Sequence, residues 1–149
     1  MDGRGSSSET GGKRITRWLL AALYLIAGYA HLAAPAPFLR ITPDWVPKPE
    51  QVILLTGIAE AAGAIALIQP WNLSLRKAGA VGLALYALCV WPANVNHMLI
   101  DFAQPYGGWD ATIIWAYHIP RMLLQPALIW AALWSGGVIG WPRRTESRT

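Results

Sequence analysis

Glu60 stands in "LLTGIAEAAGAIALI", residues 54–68, a stretch otherwise built from Leu, Ile, Ala and Gly with a single Thr. Arg121 is the lone charge between Ala111 and Pro142. His31, Asn94 and Gln125 are further polar residues inside apolar runs, and His97 and His118 lie nearer the run ends. A carboxylate can take or release a proton, while guanidinium, imidazole and carboxamide groups donate hydrogen bonds to a ligand. Such groups are costly in an apolar run, so they pair, face a polar cavity or stay neutral. Three readings of Glu60 are therefore open: a structural pair with Arg121, a substrate or cofactor site shared with it, or a neutral acid with a packing role.

Spacing groups these residues into faces. His118, Arg121 and Gln125 are spaced i, i+3, i+7, and Asn94, His97 and Asp101 repeat that spacing, so each trio shares one helix face. Tyr24, Ala27, Gly28 and His31 form another face, and Ile53, Thr56, Gly57 and Ala64 share the face of Glu60. The small members of these faces permit close helix approach. His118 is expected to be solvated near an interface, and His97 and Asn96 to cap the end of their helix. Asn94 follows Pro92, which frees backbone groups that its amide, or a ligand, could meet.

No metal site is expected, because the three histidines fall on three segments without a spacing such as His-x-x-x-His. Cys89 is the only cysteine, which excludes an internal disulfide and a Cys-x-x-Cys relay. There is no recognisable haem, flavin or iron-sulfur motif. Tyr24, Trp91, Trp115, Tyr117 and Trp130 either face lipid and pack, or line a planar apolar pocket.

The elements that must hold these groups follow from composition. The chain has 149 residues, 54% hydrophobic and 13% charged, about half the charge of an ordinary soluble domain. The apolar runs are each long enough to cross a bilayer core as a helix. The expected fold is all-α, an integral membrane four-helix bundle with spans at about 18–38, 51–69, 78–99 and 117–139. Residues 1–17 are expected to be a disordered cytoplasmic tail, 18–142 the membrane domain and 143–149 a second cytoplasmic tail. A soluble bundle of four such helices would have almost no polar face for water. A cleaved signal peptide ending near Ala34 or Ala36 is disfavoured, because the apolar part is longer than a usual signal core and contains His31.

The stretch "PAPFLRITPDWVPKPEQ" between spans one and two carries Pro35, Pro37, Pro43, Pro47 and Pro49. It is expected to be an ordered outer loop with little regular helix. The fourth run is too long for one straight crossing, so its span begins at Pro120 or passes through it with a kink. The net charge of +4 does not indicate nucleic acid, because the basic residues sit at the edges of apolar runs.

Basic residues also orient the chain. Arg4, Lys13, Arg14, Arg17, Arg76, Lys77, Arg143, Arg144 and Arg148 fall on one side and only Arg40 and Lys48 on the other. The positive-inside rule then puts both termini in the cytoplasm, with the cell membrane as the location. Trp18, Trp71 and Trp141 fall near inner ends, Trp45 and Trp109 near outer ones, as an interfacial belt requires. In this topology His31 lies about 20 Å above the inner edge and Glu60 about 12 Å below the outer one, nearly the same level. His31, Glu60, Asn94, Arg121 and Gln125 are thus expected to form a cluster in the outer half, with His97 and His118 less central.

The same residues carry a family resemblance. "GYAHLAAPAPFLRITPDWVPKP", "TGIAEAAGAIAL", "WPANVNHM" and "RMLLQPALIW" resemble, in order, the motifs of the DoxX family of small four-span membrane proteins. The family's polar positions fall on His31, Glu60, Asn94 and Arg121, with Gln125 completing Arg-x-x-x-Gln. Leu123 stands where the family usually has Pro, and Pro120 precedes the Arg instead. The resemblance implies an accessory subunit of a membrane redox complex, quinone- or sulfur/thiol-linked, fed with electrons by a partner protein. A quinone would be the small molecule, with Arg121, His31 and Asn94 donating to its carbonyl oxygens and Glu60 relaying protons. Two alternatives stay open: a small proton-coupled permease or small-molecule-binding membrane protein, for which four spans suggest a homodimer, and a purely structural subunit.

Overall fold

The computed structural model describes residues 10–140, apart from the Tyr106 side chain. The described residues are helical and contain no strand. The helices are α1 (Gly11–Ala33), α2 (Ala36–Ile41), α3 (Pro49–Ile68), α4 (Leu73–Ala103) and α5 (Ala111–Ser135), with a 3-10 turn at Tyr106–Gly108. Three of them, α1, α3 and α4, are long and apolar enough to cross a membrane. Helix α5, with 25 residues, extends about 38 Å at the standard rise.

The long helices form a ring of contacts, α1 on α3, α3 on α4, α4 on α5 and α5 back on α1, while the short α2 leans on α3 and α4. Their outer surface is apolar: Ile26 is 69% exposed and Leu19 67%. Their interior holds Arg17, His31, Glu60, Asn94, Asp101, His118 and Gln125, all buried, beside Leu67, Leu83 and Ala132. Apolar side chains outside and polar ones inside is the arrangement expected when the surrounding solvent is lipid.

Local chemistry sets the helix ends. Asn72 caps α4 by accepting from the Leu75 N–H at 2.9 Å, and Asp110 caps α5 through the Ile113 N–H at 3.0 Å. The bend from α3 to α4 is tied by Gln69, whose Oε1 accepts from the Asn72 N–H at 2.8 Å. Helix α3 starts with Pro49 after Lys48, which takes a left-handed φ of 49°.

Three boundaries differ from the sequence expectation. Helix α1 begins at Gly11, within the stretch expected to be tail, and its Arg17 is buried and donates to the Ser135 carbonyl at 3.3 Å. That places a cation on the last turn of α5, where the helix dipole is negative. Helix α2 occupies part of the Pro-rich stretch, because Pro35 and Pro37 fall at its start, where a missing N–H costs nothing. Helix α5 runs through Pro120 and Pro126, the second of the two courses left open for Pro120, and starts at Ala111 rather than near 117. The basic residues Arg4, Arg143, Arg144 and Arg148, and Trp141, lie outside the described residues.

Candidate functional site

The crossing of α1 and α3 builds one side of the site. A Cβ on Gly28 would lie 2.7 Å from the Gly57 carbonyl oxygen, and one on Gly57 would lie 2.9 Å from the His31 Cβ. Neither position has room for a side chain, so the helices touch through backbone. This contact brings His31, one turn from Gly28, against Glu60, one turn from Gly57. His31 Nδ1 is 3.3 Å from Glu60 Oε2 and 3.3 Å from Thr56 Oγ1. The Thr56 hydroxyl gives its hydrogen to the Ile53 carbonyl at 2.9 Å. It therefore accepts from His31, which puts the imidazole proton on Nδ1, on the side of the carboxylate.

From α4, Tyr86 donates its hydroxyl hydrogen to Glu60. Its ring meets Tyr24 edge to face, centroids 6.1 Å apart. The His31 ring packs edge to face on Phe38 of α2 at 3.9 Å. Between these groups is a cavity of about 340 Å³. Tyr24, His31, Glu60, Tyr86, Asn94 and Gln125 supply polar groups to its wall, and Phe38, Trp45, Val90 and Leu128 are among the apolar ones. Three buried polar atoms of these lining residues make no hydrogen bond in the protein, Tyr24 Oη, Glu60 Oε2 and Gln125 Oε1, and the second has only the His31 Nδ1 contact at 3.3 Å. Buried polar atoms are rarely left so, and here three of them belong to residues around one cavity.

Arg121 belongs to a second network. Its Nη1 donates to His97 Nδ1 at 2.6 Å and to the Tyr117 hydroxyl at 3.1 Å, and its Nη2 donates to Asn94 Oδ1 at 2.7 Å. It also lies 5.0 Å from the Tyr117 ring centroid. No ion pair joins it to Glu60 among the described residues. Because arginine only donates, His97 accepts at Nδ1 and carries its proton on Nε2, which faces Asp101 Oδ2 at 3.4 Å. His118 Nε2 bonds the same oxygen at 2.9 Å. The guanidinium and the Asp101 carboxylate thus balance each other through one neutral ring.

His118 is fully buried rather than solvated, because Asp101 of the adjoining helix supplies a partner that the sequence could not reveal. His97 and Asn96 do not cap a helix end, since α4 continues to Ala103; Asn96 instead donates to the Ile41 carbonyl at 3.0 Å, holding α2 in place. Asn94 accepts from Arg121, and its side chain also reaches the cavity wall. The expected cluster therefore has two parts. Glu60, His31 and Gln125 line the cavity, Arg121, His97 and His118 form the charge network with Asp101, and Asn94 touches both.

His97, Asp101 and His118 present ligand atoms within 4.8 Å of one another, a grouping with no local spacing in sequence. Its chemistry suits a cation poorly. Arg121 occupies His97 Nδ1 and forces the proton onto Nε2, the atom a metal would need, and Arg40 lies on the same outer pocket. Sequence reading also missed Tyr86 and Thr56, which complete the setting of Glu60 and His31. Thr56 shares a face with Glu60, which was a usable signal; Tyr86 gave none.

No curated protein and no solved structure matches this chain. One family does, over residues 20–135, a stretch that contains both networks and the residues lining the cavity. The chain belongs to that family, a domain of unknown function designated DUF8561.

Proposed function

We propose that this chain is a four-span protein of the cell membrane, both termini cytoplasmic, that binds a small, largely apolar ring compound in the cavity beside Glu60. The observation that carries this reading is an apolar cavity lined by Tyr24, Glu60 and Gln125, each of which has a buried polar atom that makes no hydrogen bond in the protein. The volume, about 340 Å³, is at the small end of ligand pockets, and its aromatic walls suit a flat ring. Helix α5 is the fourth span in this reading: it shields the cavity with Leu124, Gln125 and Leu128.

The resemblance to DoxX proteins supports a place beside a membrane redox complex, with a quinone as the ligand class and a partner protein as the electron donor. Donors to such a ligand are the Tyr24 hydroxyl and the Gln125 amide, and Glu60 is the residue able to exchange a proton with it. Arg121 is committed to His97 and Asn94, so it is not assigned to the ligand. A permease built on a Glu60–Arg121 pair is the less favoured reading, because Arg121 bonds His97 and Asn94 instead. A structural subunit leaves the cavity unexplained.

The test is equilibrium binding of a radiolabelled short-chain quinone to the full chain in lipid nanodiscs. Saturable binding near one per chain, lost when Ala87 on the cavity wall is replaced by Trp, supports the reading. Uptake no greater than in empty discs removes it.

A further inference from the structure

We propose that the groove between the first turns of α4 and the chain just past α5 binds one anionic phospholipid, with an acyl chain along α4 and the headgroup phosphate on Lys77. This site shares no lining residue with the cavity beside Glu60 and does not depend on that cavity taking a ligand.

The groove has a volume of about 540 Å³ and is lined by Lys77, Ala78, Val81, Gly82 and Leu85 of α4 and by Val138. Its floor follows from side-chain size. Ala78 and Gly82 are spaced i, i+4 on one helix face, and a Cβ added to Gly82 would meet nothing within 4 Å, so the surface is cut back here. Val81 and Leu85, with the same spacing, form the raised row beside it. The opposite wall is fixed by the way α5 ends. Gly136 sits so close to α4 that a Cβ there would collide with Ala80. Gly137 then takes a left-handed φ of 79°; its N–H donates to the Trp134 carbonyl at 3.2 Å, and the Val138 N–H donates to the Leu133 carbonyl at 2.9 Å. These two bonds close the helix and set Val138 beside α4 as a fixed wall rather than a loose end.

Direction and charge identify the occupant. From Lys77 to Leu85 the groove follows α4 for about 12 Å at the standard rise, and so runs as an acyl chain of the bilayer runs. Lys77 stands near the start of α4, just after Trp71, whose 80% exposure marks the interface where headgroups lie. Its side chain is exposed and makes no ion pair among the described residues, and no acidic side chain lines the groove. An apolar channel that ends in an open cation matches a lipid whose headgroup is negative. A second copy of the chain fits less well, because a two-fold pair on this face would bring the two Lys77 ammonium groups together with no acid between them. In the proposed orientation the groove faces the cytoplasmic leaflet, where anionic lipid is concentrated.

The test is native mass spectrometry of the full chain released from nanodiscs that hold equal amounts of phosphatidylglycerol and phosphatidylcholine with identical acyl chains. The expected result is one retained lipid per chain, with phosphatidylglycerol favoured about fivefold, the effect of one cation at a lipid surface. Lys77→Gln should bring that ratio close to one, and Gly82→Leu, which fills the groove, should remove the retained lipid. Arg14→Gln, at an exposed cation on the same end of the bundle, should change neither. Equal retention of the two lipids by the unaltered chain overturns the proposal, as does a preference that Arg14→Gln lowers as much as Lys77→Gln. Retained phosphatidylglycerol that survives Gly82→Leu puts the lipid elsewhere and also overturns it. Release as a lipid-free dimer that Gly82→Leu converts to monomer makes the groove an interface between copies and refutes the lipid site. If Gly82→Leu does not yield folded protein, the contrast between Lys77→Gln and Arg14→Gln decides.

Discussion

Replacing Arg121 with Met should destabilise the protein, and replacing Asp101 with Asn in the same chain should recover part of the loss. Arg121 Nη1 is 2.6 Å from His97 Nδ1 and Asp101 Oδ2 is 3.4 Å from His97 Nε2, so the two charges are roughly 8 Å apart. At an effective dielectric near 20 their attraction is about 2 kcal/mol. Removing the guanidinium also breaks its bonds to His97 and Asn94 and leaves Asp101 uncompensated, a total of about 3–5 kcal/mol. At about 2–4 °C per kcal/mol for a chain of this size, Arg121→Met should lower the thermal midpoint in detergent by roughly 6–20 °C. Arg121→Met with Asp101→Asn should sit roughly 4–8 °C above the sum of the two single effects, measured at one fixed scan rate. Arg121→Met with Glu60→Gln should be additive, because Glu60 is not the counter-charge. Rescue by Glu60→Gln, or strict additivity with Asp101→Asn, would refute the assignment of Arg121 to Asp101.

Further outcomes follow from the packing and the proposed topology. Gly28→Ala drives a Cβ to 2.7 Å from the Gly57 carbonyl and should cost about 1–3 kcal/mol, whereas Gly82→Ala, with nothing within 4 Å of the added carbon, should be neutral or stabilising by about 0.4–1 kcal/mol; thermal midpoints of the pair check this. Arg17→Met removes the cation from the end of α5 and should lower stability by about 0.5–2 kcal/mol, with Lys13, which lies 5.7 Å over the Trp134 ring, contributing less when replaced by Met. With Cys89 replaced by Ser, a cysteine at Gln104 should react with an impermeant maleimide from outside intact cells and one at Asn72 only after permeabilisation; the opposite pattern inverts the proposed orientation.

Much of the site's geometry could be read from periodicity, because helices convert spacing into direction. Glu60 and His31 fall at one depth and on faces that carry Gly57 and Gly28, and these glycines are what allow the two side chains to meet. The faces Asn94, His97, Asp101 and His118, Arg121 likewise meet across α4 and α5. Periodicity could not say which partner each charge takes. Glu60 and Arg121 look like a pair because they are opposite charges in apolar runs, yet it is Asp101, outside the run as counted, that is linked to Arg121 through His97. Nor could it reveal a void: the cavity depends on where Phe38 and Trp45 of the Pro-rich stretch fold over the helices, which is set by contacts distant in sequence such as Asn96 to Ile41. The start of α1 at Gly11 was hidden because Gly and Ser content reads as tail, whereas Lys13 and Arg17 gain Trp134 and Ser135 of α5 as partners.

The most direct test of a ligand site at Glu60 is photoaffinity labelling of the full chain in nanodiscs with a short diazirine-tagged quinone analogue, followed by peptide mapping. Label concentrated between Ile53 and Glu60 and between Tyr86 and Asn94, and displaced by excess untagged compound, is the predicted result. Label spread over the lipid-facing positions such as Ile26 and Leu99, with no displacement, contradicts the account.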